Sequence, residues 1–530
     1  MLFGAYTVRG RIPVRAGRDR PAPRARSSSF VWSELGRCDI RPATARHEGA
    51  DMTSTIEVDY LVIGARATGM AFTDSVLAAS DATVAIVDRR DRPGGHWVDA
   101  YPFVRLHQPA NFYGISSEAL GTGAVDTAGF NAGFYELASG PEVVAYYDRV
   151  MRHRFLPSGR VRYLALSEVD ANGRVVSLLN GDRVDVDARC VVDGTYSQMQ
   201  IPSTHPPSYD VAKEATCVPV NALPRRAADY DEYVVVGAGK TGMDACCWLL
   251  EHGVDVNNVR WIMPRDAWVL NRANFQPGEE NFARFCKSLA DQAESVANAT
   301  SIDDLFARLE ACDELRRIDP KVTPRAYHCA ILSDAELGQL RRIPGIVRMG
   351  RVRSIDADHI VLDEGSIATS PRTLHVDCSA SGIPTRPTQP IFEDGRITLQ
   401  FVRWCQPTFS AALIGHVAVT HDGSIAEKNS LLRPIPAPDA PIDWLRTYLV
   451  NSANLSAWNA YPEIERWRTV SRLDPIQHLI ASRAGVDAPA TEELGRFLAH
   501  LQAAADNGRR LLAHAMADAT PLAAEDLATR

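Results

Sequence analysis

The sequence predicts an α/β protein with two parallel-sheet units and a helical C-terminal region, and three observations predict it. A short apolar run, a glycine-bearing turn and an amphipathic stretch succeed one another at 59–70 and return at 232–243. Each copy leads to a second short apolar run, 83–87 and 259–263, as a strand–helix–strand unit requires. The chain has 530 residues, with 45% hydrophobic and 23% charged residues, enough for two or three ordinary globular domains.

The turns carry the chemistry. The first reads Gly64-Ala65-Arg66-Ala67-Thr68-Gly69, and the second Gly237-Ala238-Gly239-Lys240-Thr241-Gly242. In such a turn the first glycine lets the chain leave the strand sharply, and the second lets backbone N–H groups approach a pyrophosphate. The third lets helix and strand pack closely, while the helix N-terminus offers partial positive charge. Two copies predict two Rossmann-like dinucleotide-binding domains, an FAD domain with an NADP domain inserted, and electron transfer from a nicotinamide to a flavin. Lys240-Thr241 superficially matches a nucleoside-triphosphate loop. That motif needs a glycine where this chain has Val234, so it is rejected.

The corner after the second strand of each unit assigns its ligand. The first corner is Asp88-Arg89; a carboxylate there suits a ribose and repels a 2′-phosphate, as for FAD or NAD. The second corner carries Arg265, which favours NADPH, with NADH possible; the alternative is a solvated surface arginine. Arg66 departs from the pattern, because it stands where the second glycine belongs. Either the loop shifts and its guanidinium contacts a phosphate, or FAD binds weakly or not at all and Arg66→Gly raises occupancy.

Along the chain, 1–51 holds ten arginines, no lysine and five acids, and is expected to be a disordered extension. The FAD domain is expected at 52–225 and again at 372–435, with the NAD(P) domain at 226–371 and a helical region at 436–530. Alternation at 157–176 and 184–192 predicts antiparallel strands, and 280–315 a helical insertion.

A net charge of −8 argues against nucleic-acid binding, and no run of about 18 apolar residues predicts a membrane span. The ten cysteines lack C-x-x-C spacing, which disfavours a disulfide reductase and fits buried thiols in a reducing cytoplasm. No local His/Cys/Asp cluster argues for a metal, and no triad spacing for covalent hydrolysis. Oligomeric state is left open.

The segments between these landmarks resemble the flavin-containing monooxygenase superfamily. Gly94-Gly95-His96-Trp97 is similar to the family's G-G-x-W segment. Tyr101-Pro102…Arg105 is similar to Baeyer–Villiger monooxygenases, and Leu106-His107-Gln108-Pro109-Ala110-Asn111-Phe112 to plant auxin-forming flavin monooxygenases. Asp193-Gly194-Thr195 and 377–382 resemble the family's two crossover segments. The resemblance covers about 56–384. It implies that Gly95, His96 and Trp97 lie along FAD, with Arg105, His107, Gln108 and Asn111 near the flavin ring.

For His107 a loop-satisfying role stands equally open, and for Asn111 simple turn chemistry. Trp268 and Arg272 either cover the nicotinamide or pack locally; His375 and Asp377 are read as structural. The implied activity is NADPH- and O2-dependent oxidation of a small organic substrate through a flavin C4a-peroxide. The family's F-x-G-x-x-x-H segment is missing at 209–219. Two alternatives therefore stay open: a flavin reductase or dehydrogenase without oxygenation, and a non-catalytic protein with a decayed FAD site.

Overall fold

The computed structural model describes residues 55–517 apart from Gln198 and Ala484. The predicted extension 1–51 lies outside the described residues. The first sheet runs Phe392–Glu393, Arg396–Thr398, Val186–Asp193, Ile56–Ile63, Val84–Val87, Val161–Leu164. Ile56–Ile63 pairs in parallel with Val186–Asp193 and Val84–Val87, and Ala67–Ala79 is the crossover helix. Val84–Val87 is buried at every position, as expected for a parallel strand covered on both faces. The helix packs on Pro407–Thr420 so closely that a Cβ at Gly415 would stand 2.7 Å from the Phe72 carbonyl oxygen.

The second sheet repeats the plan with the order Thr216–Pro219, Thr373–Asp377, Glu232–Val236, Val259–Ile262, Gly345–Val347, all parallel. It takes in strands on both sides of the expected 226–371 boundaries, because the segments entering and leaving the unit both pair into its sheet. The fold class is therefore α/β with two Rossmann-like units and a helical C-terminal region.

Part of the expected antiparallel stretch is parallel instead. Val161–Leu164 pairs in parallel with Val84–Val87, and Val186–Asp193 with Ile56–Ile63. Only Ser167–Val169, Val175–Ser177 and Arg183–Val184 form an antiparallel ladder. Val186–Asp193 alternates between exposed and half-buried positions along its first half, so it mimics a one-sided antiparallel strand.

The expected insertion 280–315 folds as the helices Phe282–Asn298 and Ile302–Ala311. They share a core with Pro441–Asn459, Ala488–Ala517 and the sheet Leu315–Arg316, Ala267–Asn271, Ala326–Leu332. Proline opens Pro441–Asn459, Pro462–Val470 and Pro475–Arg483, where a missing N–H costs nothing. The strand pair Ala267–Asn271 and Ala326–Leu332 carries an irregularity: Trp268 faces Tyr327, whereas Leu270 faces Ile331. Extra residues bulge out between them, Cys329 among them. Among the described residues no helix is long and apolar enough to cross a membrane.

Candidate functional site

The two turns are near-copies in three dimensions. A Cβ at Gly69 would stand 2.1 Å from the Gly64 carbonyl oxygen, and one at Gly242 2.1 Å from that of Gly237. Neither position tolerates a side chain, which is the close helix–strand packing that the third glycine provides. Gly64 and Gly237 hold φ of +104° and +126°, the left-handed region glycine enters without strain. Each sheet then returns a strand ending in an aspartate. Asp193 accepts from the N–H and hydroxyl of Thr195, and Asp377 from those of Ser379. Gly194 N–H donates to Ile63 O, and Cys378 N–H to Val236 O, closing each crossover against its fingerprint strand.

At the second turn the space above the loop is open. Gly239 is exposed, and a Cβ there would meet nothing within 4 Å. It caps the helix Lys240–Glu251, whose N-terminus faces that space. Lys240 itself turns inward. Its ammonium pairs with Asp244 and, at 3.3 Å, with Glu336, and its side chain is only 14% exposed. Burial works against its charge, but these two carboxylates outweigh it and raise its pKa. Lys240 is therefore engaged by carboxylates, the open position of the turn is Gly239, and Gly237 and Gly242 are buried.

At the first turn Arg66 adopts φ −99°, ψ 177°, against −78°, 179° for Gly239, so the backbone path is shared and only the side chain differs. That side chain crosses the loop: its Cγ would lie 2.7 Å from a Cβ at Gly95, and its Nε 3.5 Å from one at Gly64. Arg66 Nε is buried and has no hydrogen-bond partner among the described residues. Burial lowers the guanidinium's pKa, opposed by Asp88 and Asp193. An unpaired buried cationic donor at a helix N-terminus fits an anionic group such as a pyrophosphate. Asp88 is turned to the loop, accepting from Ala65 N–H at 2.8 Å and Arg90 N–H at 2.9 Å. Arg89 is exposed and pairs with Glu168.

The loop 94–113 packs on both units, with Leu106 and Ala110 in the core of the first and Tyr101 and Val104 in that of the second. Gly94 N–H donates to Ala65 O, setting Gly95 against Arg66. His96 packs on Trp97, whose indole N–H donates to Tyr113 Oη at 2.9 Å. Burial pushes His96 down to about 4, with Arg66 and Arg90 adding to it. His107 is pushed down to about 3, by burial first and then by Lys240 and Arg272. It is a neutral imidazole next to the second unit's buried charges. Gln108 donates to Cys405 O at 2.6 Å. Asn111 gives its carbonyl to Arg472, and its Oδ1 is buried without a partner among the described residues. Arg105 faces elsewhere: it is exposed and donates to Leu137 O, so the structure does not bring it together with His107.

Arg265 sits in a forked ion pair with Asp439, at 3.0 and 2.6 Å, and His328 binds the same carboxylate. Trp268 packs on Phe306 in the helical core, and Arg272 is 1% exposed. His375 bridges Thr216 O and Thr369 Oγ1, a structural role.

Curated relatives include proteins of Mycobacterium tuberculosis (strain ATCC 25618 / H37Rv) and Mycobacterium bovis (strain ATCC BAA-935 / AF2122/97), described as Uncharacterized protein Rv2000 and Uncharacterized protein Mb2023. Each is 45% identical over 458 residues, covering 86% of this chain and 85% of the relative. The chain belongs to their family. No family model matches it. Among solved structures, the family member resembles an epsilon-caprolactone-bound cyclohexanone monooxygenase (TM-score 0.45, 13% identity, 82% of this chain and 98% of that one). It also resembles an oxidized steroid monooxygenase bound to NADP (TM-score 0.43, 14% identity, 81% and 98%). A mutant flavin monooxygenase from Stenotrophomonas maltophilia is similar as well (TM-score 0.42, 14% identity, 69% and 100%). At such scores the likeness carries no assignment of activity.

Two features of this family member escape a reading of the sequence. The first is a buried network beneath the second turn: Tyr101 Oη donates to Asp244 at 2.7 Å, and Arg272 pairs with Glu336 at 2.7 Å. Lys240 and Asp244 are one helical turn apart, which is legible. Ser333-Asp334-Ala335-Glu336 is a legible capping box, formed as such. That the two meet is not legible. The second feature is a disulfide between Cys329 and Cys405. The cysteine spacing predicts buried thiols, and seven other described cysteines are free. These two are 76 residues apart in sequence, so only tertiary packing pairs them.

Proposed function

We propose that this chain is an FAD- and NAD(P)H-dependent oxidoreductase. The observation that carries the proposal is the duplicated strand–turn–helix with its duplicated aspartate crossover, one copy open at Gly239 and the other presenting an unpaired buried arginine donor. Gly237, Gly239 and Gly242 with the helix Lys240–Glu251 would hold the nicotinamide dinucleotide, Thr241 beside them. Gly64, Ala65, Arg66 and Gly69, with Asp88, Gly95, His96 and Trp97, would hold FAD. Bound together, the two cofactors supply hydride transfer and a two-electron store. The chain's own part is binding and insulation. Arg66 offers charge to a phosphate, and neutral His107 offers one donor and one acceptor between the units.

A flavin monooxygenase acting on a small organic molecule with O2 in the cytoplasm is the finer form of the proposal. It rests on the Leu106–Phe112 segment and on the burial that keeps His107 neutral. A reductase without oxygenation is favoured by a specific observation. In place of the family's F-x-G-x-x-x-H segment, 209–219 holds no glycine or histidine, and Tyr209 Oη donates to Asp377 at 3.1 Å. The test is an absorbance spectrum of the purified protein before and after anaerobic NADPH, then with air. Flavin bands that bleach and return support the proposal, and substrate-dependent NADPH oxidation distinguishes oxygenase from reductase. A spectrum that stays flat after added FAD overturns it.

A further inference from the structure

We propose that Cys329 and Cys405 form a thiol–disulfide exchange site for a low-molecular-weight thiol. Three independent features lead to it. The pairing is tertiary: Cys329 lies on the strand Ala326–Leu332 of the inserted sheet, and Cys405 on the loop entering the helix Pro407–Thr420. Both cysteines hold left-handed backbone, with φ of +57° and +59°. Two such residues facing each other mark a position where the surrounding structure over-determines the backbone, as it does at working sites. Cys329 also sits inside the register irregularity opposite Trp268–Leu270, and strand bulges re-aim side chains in this way.

The two sulfurs are not equivalent. Cys329 is 3% exposed within the helical core, whereas Cys405 is partly exposed. An incoming thiolate therefore attacks Cys405 Sγ. A sulfur–sulfur bond forms between the thiol and Cys405, the Cys329–Cys405 bond breaks, and Cys329 leaves as thiolate and takes a proton. A second thiol attacks the mixed disulfide and leaves with the first as a disulfide, and Cys405 is protonated. Two thiols are oxidised, one protein disulfide is reduced, and the protons balance.

The exchange would be felt at the candidate site, since the Cys405 carbonyl accepts from Gln108 of the 94–113 loop. Reduction unties the inserted sheet from that loop's partner. The site stands on the cysteines alone and needs neither dinucleotide.

The test equilibrates the full-length protein in native glutathione buffers, from oxidised to reduced. Acid quenching, alkylation after denaturation and peptide mass spectrometry complete it. Labelling of Cys329 and Cys405 should rise together at least tenfold towards the reduced end, while Cys246, Cys247 and Cys378 label throughout. Constant labelling of the pair means no bond forms, and constant protection means no thiol reaches it; either result overturns the proposal. Cys329→Ser should trap glutathione on Cys405, and Cys405→Ser should leave Cys329 unmodified. The reverse pattern overturns the assigned direction of attack.

Discussion

Arg272 and Glu336 form an ion pair at 2.7 Å with side chains only 1% and 10% exposed, and Lys240 shares the same carboxylate. Burial alone would protonate Glu336, yet Lys240 and Arg272 hold its pKa below the usual carboxylate value. Removing the carboxylate leaves Lys240 with Asp244, and Arg272 against the neutral oxygens of Asn131 and Ile331. Glu336→Gln is expected to cost about 3–5 kcal/mol in urea unfolding, the size of breaking a buried pair. The Arg272→Met, Glu336→Gln double variant should recover part of that loss, because it removes the stranded charge as well.

Two glycines in one turn should respond in opposite ways. Gly239→Leu meets open space at extended backbone, so unfolding should shift by less than about 0.5 kcal/mol. The same change should weaken NADP+ binding by roughly tenfold or more in a calorimetric titration, equivalent to about 1.4 kcal/mol. Gly242→Ala drives a methyl into the Gly237 carbonyl and should destabilise by about 1–3 kcal/mol. Unchanged NADP+ affinity in Gly239→Leu would remove the second turn from the binding site.

Arg66 is the corresponding probe of the first turn. As a phosphate contact it contributes a charged hydrogen bond of about 1.5–3 kcal/mol. Arg66→Gly should then weaken FAD binding to the apoprotein about ten- to hundredfold by flavin fluorescence, with Arg66→Lys intermediate. Tighter binding by Arg66→Gly would instead identify the side chain as an obstruction.

Three histidines predict how stability depends on pH. Burial pushes His96 and His416 down to about 4 and His107 to about 3, from 6.5. Below about pH 6.5 the unfolded chain binds protons that the folded chain refuses, so stability is full above that pH and falls as pH drops towards 4. Each histidine contributes a slope of up to about 1.4 kcal/mol per pH unit. His416 stacks on Trp467 with centroids 5.2 Å apart, and its Nε2 is buried without a partner among the described residues. His416→Phe keeps the stack and should flatten the slope by one proton. Denaturation midpoints from about pH 7.5 to 4.5 measure this.

Arg265 and Asp439 test nicotinamide choice. The forked pair is partly exposed, 38% and 25%, and its carboxylate opposes a 2′-phosphate. Asp439→Asn should raise affinity for NADPH over NADH by about fivefold, on the scale of one exposed charge pair. Arg265→Ala should lower NADPH affinity and leave NADH unchanged. Equal effects on both nucleotides would mean the corner makes no phosphate contact.

Through the family resemblance the sequence pointed to the two aspartate crossovers; by itself it determined the two strand–turn–helix units, the inserted helices and the helical C-terminal region. All of these depend on interactions within about twenty residues: glycine conformation, apolar periodicity, caps and a fixed proline φ. The orientation of Val161–Leu164 and Val186–Asp193 lay beyond it, because a half-solvated parallel strand alternates like an antiparallel one. Tertiary structure alone decided which charges meet. Lys240, within the second turn, pairs with Asp244 and Glu336, and Arg265 found Asp439. It also joined Cys329 to Cys405. Long side chains choose partners by proximity in space, and sequence spacing encodes proximity only along one helix or strand.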